Sequence, residues 1–210
     1  MRSAFNSDPY VRKEIERVIA RLGIEHVIET GTYTGATTKW FSERVKNVST
    51  VELIENFYDS TMQMCKDLNL ANIRCYLGSS ADLLGDMITD MNTDKPILFY
   101  LDAHREGSWP LIKELETIGE LKQDKAIVVI DDFKVPHRNK DYDTYGGHEC
   151  SMEYIQHTIP RLYRNSPFIY FNDKHDPLSN VGKLYMFPAW MEEKLSDFVK
   201  KENDVYYSNL

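Results

Sequence analysis

Two apolar runs of this 210-residue chain end on bare carboxylates, Tyr100-Leu101-Asp102-Ala103-His104 and Val129-Ile130-Asp131-Asp132. Each run reads as a buried strand, and adjacent strands would bring Asp102, Asp131 and Asp132 together at one sheet edge. Three carboxylates within a few ångströms repel one another, and a hard dication such as Mg²⁺ is the usual resolution, with water and ligand oxygens filling its octahedron. The plain alternative is that one of them caps a helix or pairs with a basic side chain. His104 lies two residues past Asp102. Imidazole as a side-chain type titrates near working pH and suits proton transfer; a loop histidine bonded to backbone is the alternative.

A second constellation precedes these. Val27-Ile28-Glu29-Thr30-Gly31-Thr32-Tyr33-Thr34-Gly35 runs from an apolar strand through an acid into a glycine loop that opens onto a helix, and Glu52 closes the next strand. The two carboxylates would stand side by side at the C-terminal edge of a parallel sheet, where open α/β sheets bind nucleosides. Glu29 suits a ligand ammonium and Glu52 a ribose diol. Gly31 and Gly35 let the backbone turn sharply and a ligand approach it closely. The spacing is neither Gly-x-Gly-x-x-Gly nor a phosphate-binding Gly-x-x-x-x-Gly-Lys-Ser/Thr, which disfavours a Rossmann dehydrogenase and a P-loop NTPase.

The elements that must hold these residues alternate along the chain, which predicts a parallel sheet covered on both faces. Helices are expected over 8–22, from Gly35 onward, over 55–68, from Ser79 and Ser80 through 91, over 110–121 and over 151–162. Strands are expected at 26–29, 48–53, 73–77, 97–101, 126–130, 168–171 and 183–187. The polar stretch 133–150 has no internal period and reads as a lid or substrate loop beside the carboxylates, with plain disorder as its alternative.

At this point the chain resembles the class I S-adenosylmethionine-dependent methyltransferases, whose first motif is an acid-x-Gly-x-x-x-Gly loop, here Glu29-x-Gly31-x-x-x-Gly35. More narrowly it is similar to the metal-dependent O-methyltransferases, a group that includes catechol-type and macrocin-type sugar enzymes; Tyr33 inside the loop and Thr37 beyond it carry that likeness. The resemblance implies a three-layer, Rossmann-like α/β fold with a mostly parallel seven-stranded sheet closed by a C-terminal antiparallel hairpin. It also implies S-adenosylmethionine, with Glu29 at the methionine amino group, Gly31, Tyr33, Gly35 and Thr37 around the methionine, Glu52 on the ribose, and Ser79 and Ser80 at the adenine. For the two serines a helix cap is the competing reading. Asp102, Asp131 and Asp132 would hold Mg²⁺ or another divalent cation, and His104 falls where sugar-modifying members carry a candidate base. Trp109 would stack on substrate or simply pack. The catechol-type lysine base is replaced by Arg105, which keeps its proton at any working pH and makes catechol chemistry doubtful.

Composition narrows the rest. One domain over 1–210 is expected, with a helical segment at 1–24 that covers the cofactor, covers the sheet or forms a homodimer surface. The net charge of −8 disfavours nucleic acid, and no apolar stretch reaches the length of a membrane span. A cytoplasmic enzyme with a small hydroxylated acceptor, a sugar or a polyhydroxylated natural product, is the expectation. Cys65, Cys75 and Cys150 read as free thiols. Three other classes compete: a metal-independent N-methyltransferase, a non-catalytic S-adenosylmethionine-binding module, and an oxidative iron enzyme using His104-x-Glu106, which three clustered aspartates disfavour.

Overall fold

The computed structural model describes residues 3–104, 109–174, 176 and 179–210. Arg105 and Glu106 lie outside the described residues. The chain opens with α1 (Pro9–Leu22), β1 (His26–Thr30), α2 (Ala36–Ser42), β2 (Asn47–Glu52), α3 (Glu55–Asp67) and β3 (Ile73–Leu77). It continues with α4 (Ser80–Met91), β4 (Ile97–Leu101), α5 (Leu111–Lys122) and β5 (Ala126–Ile130). The remainder comprises β6 (Thr144–Tyr145), β7 (His148–Glu149), α6 (Met152–Ile155), α7 (Ile159–Leu162), β8 (Phe168–Phe171), β9 (Leu184–Phe187), α8 (Glu192–Leu195), β10 (Val199–Glu202) and β11 (Val205–Ser208).

Local chemistry accounts for the first helix. The Asp8 carboxylate accepts the backbone N–H groups of Tyr10 and Val11 at 2.8 and 3.2 Å, Pro9 sits at the first helical position, and Gly23 ends the helix in the left-handed region. The expected helix over 151–162 is instead two single turns, α6 and α7, joined by a 3-10 turn at Gln156–Thr158. Pro160 explains the break, because it supplies no N–H to a continuous helical ladder.

The main sheet runs β10-β11-β8-β9-β5-β4-β1-β2-β3 and has nine strands rather than the seven expected. The first five strands are mutually parallel and β9 lies antiparallel between β5 and β8, so the anticipated closing hairpin is present. The two additional strands form a hairpin on Asn203 and Asp204, both with positive φ, as a two-residue type I′ turn requires. Its strand β11 pairs parallel to β8. Lys200 and Lys201 leave the edge strand β10 polar and exposed, so it carries no apolar run for a sequence reading to find.

The pleat sends alternate residues of the central strands into two cores. Ile28, Phe99, Leu101, Val128 and Ile130 pack beneath α4 and α5. Val27, Leu98, Tyr100, Ile127 and Val129 pack with Ile15, Val18, Trp40 and Phe41 of α1 and α2. Each fully buried side chain of this size stabilises by about 1.5–3 kcal/mol, which makes β1, β4 and β5 a rigid base for whatever projects from their ends. Among the described residues no helix is long and apolar enough to cross a membrane.

Segment 133–150 is folded onto this base. It contains the β6–β7 hairpin turning on Gly146 and Gly147, and backbone bonds tie Phe133 to Gly182, Lys134 to Cys150, Asp141 to Asn180 and Asp143 to Asp132.

Candidate active site at the sheet edge

Register places the acids. β1 pairs with β2 on one side and β4 on the other, aligning Glu29 with Thr50 and Tyr100. Glu29 is 1% exposed, and its Oε2 accepts from the hydroxyls of Thr38 and Thr50, the latter at 2.8 Å. Burial pushes its carboxyl up to about 7 against the pull of those two hydroxyls. Glu52 spans the glycine loop and the start of α3, accepting the Tyr33 N–H at 2.7 Å and the Ile54 N–H at 2.8 Å. Two such bonds to a charged acceptor are worth about 1.5–3 kcal/mol each and fix the loop's shape.

Gly31 and Gly35 have φ of +83° and +73°. A Cβ on Gly31 would overlap the Asp102 backbone carbonyl, so this glycine lets the loop after β1 close against the one after β4. A Cβ on Gly35 would meet Thr61 and Met64 of α3 at 2.9 Å. Tyr33 is 56% exposed with its ring edge-on to Phe57, at a centroid distance of 4.6 Å. The Thr37 hydroxyl accepts the Phe5 N–H at 3.2 Å, and Phe5 is buried against Trp40, Phe41 and Tyr100. Thr37 thus faces the N-terminal segment. Ser79 occupies the N-cap position of α4 without a side-chain cap bond, and Ser80 is buried beside Glu114.

At the β4 and β5 ends, Asp102, His104 and Asp132 offer ligand atoms all within 4.8 Å of one another. His104 Nδ1 is 3.7 Å from both the Asp102 and Asp132 carboxylates and 3.4 Å from Asp143 Oδ2. Burial and the Asp131 and Asp132 charges hold Asp102 well above the usual carboxylate range. Burial, Asp131 and Asp143 push Asp132 up to about 8, against the pull of Lys183. In both carboxyls burial is the larger cause and the neighbouring aspartates the smaller. Asp132 takes a left-handed backbone, φ +51°, as aspartate tolerates better than most residues.

Asp131 is placed differently. Its Oδ1 accepts from Lys183 Nζ and from the Asp132 N–H at 2.8 Å, and its Oδ2 accepts from the Tyr100 hydroxyl. Asp131 and Lys183 side chains are each 2% exposed. Burial opposes the charge on Asp131, but the ammonium and hydroxyl hold its pKa below the ordinary value, while the aspartates hold Lys183 above its own. The structure therefore brings Asp102, Asp132 and His104 together and turns Asp131 toward the interior. Tyr100, Lys183, Asp143, Thr38 and Thr50 were not singled out from sequence. Lys183 left a signal, a lone lysine at the mouth of the apolar run Leu184–Phe187.

An aromatic wall stands beside this group. Tyr145 stacks on His104 at 5.7 Å, and Trp109 stacks on Tyr154 at 4.5 Å with planes 5° apart. The Trp109 ring also meets Tyr145 at 5.4 Å.

No protein-family model matches this chain, and no curated protein does either. Solved structures do. The O-methyltransferase TomG from Streptomyces achromogenes, solved with SAM, superposes with a TM-score of 0.56 at 14% identity over 85% of this chain and 80% of that one. An rRNA methylase from Streptococcus thermophilus gives 0.53 at 13% identity over 84% and 93%. A SAM-dependent methyltransferase from Aquifex aeolicus gives 0.52 at 17% identity over 83% and 91%. The chain has the fold of these methyltransferases; one is an rRNA methylase and another is involved in tomaymycin synthesis, so the fold alone names no substrate.

Proposed function

We propose that this protein is an S-adenosylmethionine-dependent O-methyltransferase that uses a divalent cation and a small hydroxylated acceptor, a sugar or polyhydroxylated natural product. The observation that carries the reading is the Asp102–His104–Asp132 group standing at the same sheet edge as the Glu29 and Glu52 glycine loop. The donor chemistry fits a cation: the Asp102 and Asp132 carboxylates and the His104 imidazole offer hard oxygen and nitrogen donors within 4.8 Å of one another. When bound, S-adenosylmethionine supplies an electrophilic methyl group, and the cation a positive charge that eases loss of the acceptor's proton.

The chain's own residues do the rest. Glu29, freed of its proton, holds the donor's ammonium, and Glu52 accepts from the ribose hydroxyls while keeping the loop in shape. Asp102 and Asp132 hold the cation. His104, whose Nδ1 lies toward the carboxylates, keeps Nε2 as the nitrogen that takes the acceptor's proton. Trp109, Tyr145 and Tyr154 exclude water and offer flat faces to a ring-shaped acceptor. Catalysis by positioning of this kind needs no covalent intermediate.

The test is calorimetric titration of S-adenosylmethionine and S-adenosylhomocysteine, with Mg²⁺ and then with chelator, followed by methyl transfer to hydroxylated acceptors. Binding with chelator-sensitive transfer is expected. No binding of either nucleoside overturns the reading, and chelator-insensitive transfer to an amine replaces it with the N-methyltransferase. His104→Ala should lose turnover and keep cation affinity; loss of cation affinity would make His104 a ligand instead.

A further inference from the structure

We propose that Asp143, reaching in from segment 133–150, is the third carboxylate of the cation site, in the place that Asp131 would otherwise fill. The proposal rests on the cation-dependent reading above and deepens it.

Asp131 is already occupied. Its two oxygens are held by the Lys183 ammonium and the Tyr100 hydroxyl, in an ion pair sealed from water. Drawing it outward would leave a buried ammonium unpaired, which is strongly destabilising.

Asp143 has the opposite setting. Its Oδ2 lies 3.4 Å from His104 Nδ1, its carboxyl is within hydrogen-bonding reach of Asp132, and it lines the same small cavity as Asp102, His104, Asp132 and the paired Asp131, with no lysine or arginine salt bridge of its own among the described residues. Its backbone is fixed there, the N–H donating to the Asp132 carbonyl and the carbonyl accepting from Cys150, both at 2.9 Å. The Tyr145 hydroxyl donates to Asp143 Oδ2 at 3.0 Å and so aims the carboxylate.

A further carboxyl shares this cavity. Glu114 lines it, is 1% exposed, and its carboxyl lies within hydrogen-bonding reach of the Ser80 and Thr30 hydroxyls.

Charge agrees. Of the four aspartates that line the cavity, Asp131 is neutralised by Lys183, and the remaining three, Asp102, Asp132 and Asp143, form an oxygen donor set suited to a hard dication. Because Asp143 belongs to segment 133–150, a bound cation would fasten that segment to the strand ends.

The experiment is Mn²⁺ titration by electron paramagnetic resonance, without donor or acceptor, on the wild type and on Asp102→Asn, Asp131→Asn and Asp143→Asn, with circular dichroism on each. Asp143→Asn should weaken Mn²⁺ binding at least about tenfold, as Asp102→Asn does, while Asp131→Asn lowers the melting temperature and leaves Mn²⁺ affinity within about threefold. Unchanged affinity in Asp143→Asn overturns the proposal while wild-type binding lost in Asp102→Asn keeps the cation site itself. Absence of Mn²⁺ binding to wild type overturns both. Should Asp131→Asn fail to fold, Asp143→Asn decides alone.

Discussion

Replacing Lys183 by methionine removes one half of an ion pair whose side chains are each 2% exposed. Methionine fills a similar volume, so the loss is electrostatic rather than a cavity. The Asp131 carboxylate keeps its Tyr100 and Asp132 N–H bonds but loses its only buried countercharge among the described residues. Breaking a buried pair from one side costs about 3–5 kcal/mol, because an uncompensated charge stays behind. For a chain of this size 1 kcal/mol corresponds to about 2–4 °C, so the melting temperature should fall by about 10 °C. The double variant Lys183→Met with Asp131→Asn removes the stranded charge and should recover more than half of that fall. Differential scanning calorimetry at pH 7 with chelator present reads both. A fall under about 2 °C in the single variant, or a double variant no more stable than the single one, would refute the pair as a buried charge compensation.

Three further outcomes are expected. Glu29 has a folded pKa of about 7, above its unfolded value, so it binds its proton more tightly when folded, and stability declines as pH rises from the ordinary carboxylate range toward about 7. Glu29→Gln should flatten that decline in urea titrations and weaken S-adenosylmethionine binding about 10–100-fold; unchanged affinity would take Glu29 off the ammonium. Donor binding to the wild type near pH 6.5 should release a proton as Glu29 ionises, seen by calorimetry in buffers of different ionisation enthalpy, and a heat independent of buffer would contradict this. Gly31→Ala forces a Cβ against the Asp102 carbonyl at φ +83°, and denaturant unfolding should show a loss of about 2 kcal/mol or more. A loss under about 0.5 kcal/mol would mean the loop rearranges freely.

Several features were legible because their signals are local. Asp8-Pro9 and Gly23 bound a helix by hydrogen-bond and φ requirements that involve only neighbouring residues. The apolar runs ending at Asp102 and Asp131 gave two central strands to the residue. The glycine loop with Glu29 and Glu52 followed from residue type and spacing. The break at Pro160 was also written locally, and the run of apolar residues around it masked it.

Other features have no local signature. The hairpin of β10 and β11 is polar on its exposed edge and is held by pairing with β8, far away in sequence. Thr37 turns to Phe5 because the N-terminal segment folds back into the aromatic cluster around Trp40, Phe41 and Tyr100. The sequence by itself determined that acids would stand at or beside the ends of β1, β2, β4 and β5, since each apolar run gives way to a carboxylate there. Only the tertiary structure decided how those acids divide their work. Asp131 and Asp132 are neighbours in sequence, yet one turns inward to Tyr100 and Lys183 and the other faces His104 and Asp143. The choice depends on which cation lies within reach, and the Lys183 ammonium arrives only when β9 pairs with β5, bringing long-range chain order to bear on a carboxylate that sequence alone could not aim.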